Sequence, residues 1–146
     1  MKKESNIKTF IYTLKELDNV VENLYLLFDK CSIFVFSGDL GSGKTTIIKR
    51  LLKRSGINEV TVSPTFLYVV QYFNQLNQKF NHFDLYRIGN LEEFESMGFS
   101  ELLYEANSWS FIEWPEIILP ILNKNVCLIN IEYYGENKRK LTYEIK

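Results

Sequence analysis

A chain of 146 residues that is 46% hydrophobic, 15% aromatic and 24% charged carries enough apolar mass for one core, which excludes general disorder. With only 7 glycines and 3 prolines it is neither collagen-like nor low-complexity. Its 17 basic and 18 acidic side chains leave a net charge of −1, so it lacks the basic excess of a protein that grips a nucleic-acid backbone by itself.

The chain opens with Met1-Lys2-Lys3-Glu4-Ser5-Asn6, and no long apolar segment follows. No apolar run approaches the ~20 residues needed to cross a bilayer, so a cytoplasmic protein without a membrane role is expected. Ile7 to Tyr12 alternates apolar and polar residues and predicts a strand. Thr13-Leu14-Lys15-Glu16 reads as a capping box. Leu14, Leu17, Val20, Val21, Leu24, Leu27 and Phe28 then keep helical spacing, which predicts a helix of about four turns. Ile33-Phe34-Val35-Phe36 is a short apolar run suited to a central strand buried on both faces.

Gly38, Gly41 and Gly43 follow within six residues. After them, Ile47, Ile48, Leu51 and Leu52 predict a helix from Thr45 to Ser55, with Gly56 as its stop. Phe66 to Phe73 and Lys79 to Tyr86 read as strands joined by the polar turn Asn74-Gln75-Leu76-Asn77-Gln78. Asn90, with Glu93 three positions on, could cap a partly helical acidic stretch that reaches Tyr104. Ser108 to Ile112 is another short strand, running into Glu113-Trp114-Pro115. Pro115 and Pro120 leave room for a short helix or turn. Val126 to Tyr134 and Lys140 to Ile145 form a closing hairpin around Gly135-Glu136-Asn137-Lys138. Cys31 and Cys127 sit in or beside apolar runs and read as buried small hydrophobes. The expected fold class is α/β, with a mixed β-sheet flanked by helices in one domain over residues 1–146.

Gly38-Asp39-Leu40-Gly41-Ser42-Gly43-Lys44-Thr45 matches G-x-x-x-x-G-K-[ST] at every fixed position. A chain of this composition produces such a match by accident roughly once in 300. A strand leads into the loop and a helix leaves it, as a phosphate cradle requires. Glycines let successive N–H groups turn toward phosphate oxygens, and the helix N-terminus adds partial positive charge. Lys44 can reach the β- and γ-phosphates, and Thr45 offers a hydroxyl to Mg²⁺.

Such a loop needs an acid on the metal side, at the end of another strand. Glu113, after Phe111-Ile112, ranks first, and Asp84, after a less apolar run, ranks second. A solvated acid at a strand end remains the alternative for each. His82 alternates with Asp84 and would share its strand face. As the chain's one histidine it excludes a multi-histidine metal site and reads by itself as structural. Thr65, in Thr61-Val62-Ser63-Pro64-Thr65-Phe66, could present a hydroxyl to a γ-phosphate, although a plain Ser-Pro turn is the default for that segment.

Taken together, the phosphate loop with Thr46, Ser63-Pro64-Thr65-Phe66, His82-Phe83-Asp84-Leu85-Tyr86-Arg87 and Ile112-Glu113-Trp114-Pro115-Glu116 resemble the TsaE family in order and spacing. The resemblance runs from about Thr13 to Tyr134. It implies a P-loop ATPase that uses ATP and Mg²⁺ and serves a TsaB–TsaD-type complex making threonylcarbamoyladenosine in tRNA, touching tRNA only through that complex. By the same resemblance Lys44, Asp84 and Glu113 are catalytic, and Thr45 and Glu113 hold the metal. Residues 38–46, Thr65 and Trp114 would bind the nucleotide. Asp84 would act near the γ-phosphate or its water, and Thr65 as a switch-like contact. Ser42 departs from the family's usual alanine, and the adenine site is poorly marked, with Thr13 as its one candidate.

Two other classes compete. A small-molecule kinase would carry an arginine-rich lid, but the arginines are only Arg50, Arg54, Arg87 and Arg139, and they form no cluster. A nucleotide-dependent switch or scaffold would bind without needing turnover. No Asn-Lys-x-Asp guanine motif occurs, which favours ATP over GTP.

Overall fold

The computed structural model describes residues 6–60, 64 and 67–146. Strand β1 (Lys8–Thr13) leads through a 3-10 turn, Leu14–Glu16, into helix α1 (Leu17–Tyr25). Then come β2 (Ile33–Gly38), α2 (Lys44–Arg54), β3 (Val69–Phe73) and β4 (Lys79–Asp84). Helices α3 (Leu91–Ser96) and α4 (Phe99–Leu103) precede β5 (Ser108–Glu113). A 3-10 turn at Leu119–Ile121, β6 (Val126–Tyr133) and β7 (Lys138–Ile145) complete the order.

All the strands join one seven-stranded sheet in the order β1-β7-β6-β2-β5-β4-β3. The four central strands, β6, β2, β5 and β4, run parallel, and the outer strands pair antiparallel. The α/β class with a mixed sheet is therefore the observed one. Helices α1 and α2 cover one face with Val20, Leu24, Ile48, Leu51 and Leu52 against Phe34, Phe36, Phe111 and Ile129. Helices α3 and α4 cover the other face with Phe94 and Leu103 against Val35, Phe83 and Ile112. Burial on both faces explains why β2 begins with four apolar residues in a row.

The capping box forms: Glu16 accepts both the Thr13 N–H, at 3.1 Å, and the Thr13 hydroxyl, at 2.9 Å. The helix it introduces is shorter than its apolar spacing predicts. Its first turn is 3-10 and its α-helical part ends at Tyr25. Beyond that, Leu27 N–H bonds the carbonyl of Leu24 and Lys30 N–H that of Leu27, three residues back, so the chain tightens and stops. Leu27 and Phe28 remain apolar because they pack under the turn, not because the helix continues.

Other boundaries shift for local reasons. Strand β3 begins at Val69, because the Tyr68 N–H closes a turn onto the Pro64 carbonyl and Tyr68 adopts φ 64°. Phe66, the expected first residue of that strand, lies outside the described residues. Strand β4 ends at Asp84, where the Asp84 carboxylate accepts the Tyr86 N–H and turns the chain. Gly98, at φ 78°, splits the acidic stretch into two short helices. Strand β7 starts at Lys138, two residues earlier than expected. Both cysteines are free and buried.

An aromatic cluster locks the centre of the α1 and α2 face. The Phe111 ring lies 5.6 Å from Phe34 and 5.8 Å from Phe28, and Phe80 lies 5.5 Å from Trp109. Phe111 is fully buried. Phe111→Ala is expected to lower unfolding free energy by about 3–5 kcal/mol, read as an earlier midpoint in urea denaturation.

Candidate nucleotide site

Because β2, β4, β5 and β6 run parallel, their C-terminal ends share one edge of the sheet, where ligands of open α/β sheets bind. Strand β2 delivers Gly38 there. A Cβ on Gly38 would stand 2.4 Å from the Ile131 carbonyl oxygen, so only glycine lets β2 pass β6 this closely. The loop then turns through Asp39, whose carbonyl accepts the Ser42 N–H, and past Leu40, which is 84% exposed. Gly43 at φ 108° is the N-cap of α2 and offers no side chain to its first N–H groups. Those donors, with the helix dipole behind them, stay open to an anion.

Lys44 opens α2 and reaches back over the loop, donating to the Gly38 carbonyl. Its Nζ lies 3.7 Å from the centre of the Trp114 ring. Burial holds the lysine below its ordinary pKa, while Glu113, Glu116, Asp84 and Asp39 pull it back up. Trp114 adopts φ 56°, a left-handed conformation rare for a bulky residue. It follows directly on Glu113, and its indole caps the lysine and lies 5.0 Å from the Tyr86 ring.

Thr45 donates its hydroxyl to Glu113 Oε1 at 2.6 Å. Glu113 ends β5, and the parallel register sets it beside Asp84, which ends β4. Both acids are buried, at 3% and 7% exposure. The other Glu113 oxygen, Oε2, lies 2.7 Å from His82 Nε2. His82 therefore belongs to the cluster, which its sequence context alone does not announce.

The expected residues thus converge: Lys44, Thr45, Asp84, Glu113 and Trp114 meet at the mouth of the 38–43 loop. Thr65 lies outside the described residues. Thr46 faces sideways into a cavity of about 810 Å³ beside the loop. Thr13, Leu14, Gly41, Tyr133 and Arg139 line it too, and the Arg139 guanidinium stacks 4.2 Å over Tyr133. The size suits a small ligand. The β6–β7 hairpin supplies a wall that no motif marks.

Among the described residues no three His, Cys, Asp or Glu side chains gather as a self-sufficient metal cage. Mg²⁺ takes one or two protein oxygens and completes its shell with phosphate and water. The Thr45 hydroxyl and the Glu113 carboxylate, hard oxygen donors already side by side, are what the chain can offer it.

The family profile described as "Threonylcarbamoyl adenosine biosynthesis protein TsaE" matches residues 11–141. The tRNA threonylcarbamoyladenosine biosynthesis protein TsaE of Borreliella burgdorferi is 42% identical over 111 residues, which are 76% of this chain and 80% of that protein. Its Haemophilus influenzae counterpart is 37% identical over 113 residues, 77% of this chain and 70% of that one. The crystal structure of Bacillus subtilis YdiB superposes with a TM-score of 0.73 at 23% identity, covering 99% of this chain and 88% of that one, which shows the shared fold.

Two expectations follow from the loop. The Ser42 hydroxyl is buried with no hydrogen-bond partner among the described residues, so Ser42→Ala should leave nucleotide binding unchanged and raise stability by about 1 kcal/mol in urea denaturation. Lys44 has its pKa lowered by folding. Between that lowered value and about 10.4 the unfolded chain holds a proton that the folded chain has lost, so stability contributed there rises with pH. Below the lowered value the burial cost is fully present. Lys44→Met removes this titration. Wild type should therefore gain stability relative to the variant as pH rises toward about 10.4, read as converging or crossing urea midpoints.

Proposed function

The chain belongs to the TsaE family, and on that premise we propose that it is a small ATPase serving the synthesis of threonylcarbamoyladenosine in tRNA. The observation that carries the reading is the joining of Thr45 to Glu113 at the phosphate loop, with Asp84 in register beside them. In this reading Lys44 exchanges its bond to the Gly38 carbonyl for β- and γ-phosphate oxygens. Its Trp114 cap keeps water from the ammonium and fixes its direction. Thr45 and Glu113 hold Mg²⁺, which neutralises phosphate charge when bound. Asp84, whose Oδ1 accepts the Tyr86 N–H, orients the attacking water. Thr65 supplies the γ-phosphate contact. The nucleoside lies in the side cavity between Thr13, Leu14 and Tyr133.

The substrate of the cycle is ATP, and what the cycle acts on is a protein pair of the TsaB–TsaD type, with tRNA reached only through that pair. The mouth of the site supports this. Leu40, in the loop, and Tyr86, whose ring lies against Trp114, are 84% and 66% exposed there, apolar surface suited to a protein partner. The charge of −1 supports no direct grip on tRNA.

The test is ATP turnover with and without the partner pair, for wild type, Lys44→Ala and Asp84→Asn. Wild type should turn over slowly alone and faster with the pair. Lys44→Ala should lose turnover in both settings. Asp84→Asn should bind ATP within a few-fold of wild type while turnover falls at least about 100-fold. Turnover indifferent to the pair, or an Asp84→Asn variant of full activity, would defeat the proposal.

A further inference from the structure

His82 lies in the middle of β4, opposite Phe111 of β5 and Val70 of β3, and is fully buried. Alternation puts it on the same side of the sheet as Phe80 and Asp84, facing α2. A polar ring in that position is costly unless it is hydrogen-bonded. One nitrogen meets the requirement, because Nε2 lies 2.7 Å from Glu113 Oε2. The other, Nδ1, has no partner among the described residues. This asymmetry assigns the hydrogen. With the hydrogen on Nε2, the ring donates to the carboxylate and leaves only a lone pair unmet. With it on Nδ1, a buried N–H would be orphaned and a lone pair would face the carboxylate oxygen.

Glu113 is consequently held at both oxygens. Oε2 is bonded from inside the sheet by His82, and Oε1 faces outward to the Thr45 hydroxyl. We propose that His82 is a positioning residue for the nucleotide reaction, fixing the Glu113 carboxylate so that Oε1 stays presented beside Thr45 for the divalent cation. This rests on the reading of Glu113 as the metal-side acid. A glutamate has three side-chain torsions. Without the inner bond its carboxylate is free to rotate away from Thr45 toward the neighbouring Lys44 ammonium. Hydrogen bonds that orient a ligating carboxylate typically change metal affinity 10- to 100-fold. The imidazole serves as a fixed donor to Oε2.

The test measures metal binding directly. Mn²⁺ is titrated into the ADP complex and followed by electron paramagnetic resonance, and ADP binding without divalent cation is measured by calorimetry. His82→Leu should bind ADP alone within about twofold of wild type and lose about tenfold or more in Mn²⁺ affinity. His82→Gln, whose side-chain amide reaches about as far as Nε2, should recover most of that loss. His82→Asn, whose amide stops short of Glu113, should not. A purely structural role would lower both affinities together and would not separate Gln from Asn. Wild-type Mn²⁺ affinity in His82→Leu, or equal affinity in the Gln and Asn variants, overturns the proposal. Should His82→Leu not fold, the Gln and Asn pair carries the comparison. Glu113→Gln separates the two levels. If it keeps Mn²⁺ affinity, the reading of Glu113 fails. If it loses affinity while His82→Leu keeps it, only the role of His82 fails.

Discussion

Parallel pairing of β5 between β2 and β4 is the constraint from which the site follows. Each residue in that ladder has a fixed neighbour, and the pleat fixes its face. Phe36, Asp84 and Glu113 share the final level, while Phe34, His82 and Phe111 sit one layer below. A slip of one residue in β5 would turn Glu113 toward α3 and bring Ile112 to face Thr45. The slip is opposed by Phe111 on one face and Ile112 on the other, both fully buried. The apolar core thus sets the position of the polar site, and the carboxylate of Glu113 takes its place at no cost in register.

That arrangement holds opposed charges in a poorly hydrated place. Lys44, Asp84 and Glu113 are each less than a tenth exposed. For Lys44, burial disfavours the ammonium and the surrounding acids favour it, with burial the stronger influence. Its ammonium is met by the Gly38 carbonyl and the Trp114 ring, two weaker substitutes for a phosphate. Trp114 holds an unfavourable backbone conformation to make that contact. A nucleotide would supply the charge that these groups lack.

What could be read in advance followed how local its cause is. The phosphate loop was legible because its requirements, left-handed glycines and a helix N-terminus, lie in consecutive residues. Glu113 was legible as a carboxylate ending an apolar run, and Asp84 less so, because Asn81 and His82 interrupt its strand. The helix after Thr13 was read too long because Leu27 and Phe28 keep the spacing while packing under a turn. The contact of His82 with Glu113 has no local signal, because its partner lies 31 residues away and is found only through the register of two strands. The Tyr133 and Arg139 wall of the side cavity carries no local pattern, since the hairpin must first fold back against the loop.

The same logic bears on how little chain the site uses. The groups at the phosphate end come from one loop, the first turn of α2 and two strand ends, all supported by the central sheet. The outer elements contribute differently: the β6–β7 hairpin and the turn after β1 wall the side cavity, and the segment joining β4 to α3 carries exposed Tyr86 at the mouth. No described element folds over the loop, and Leu40 at its tip stands almost fully in solvent. Under the proposed reading, the exclusion of water from which phosphoryl chemistry gains would come from a partner surface over this loop. The sheet prepositions the charges on which such a closure would act.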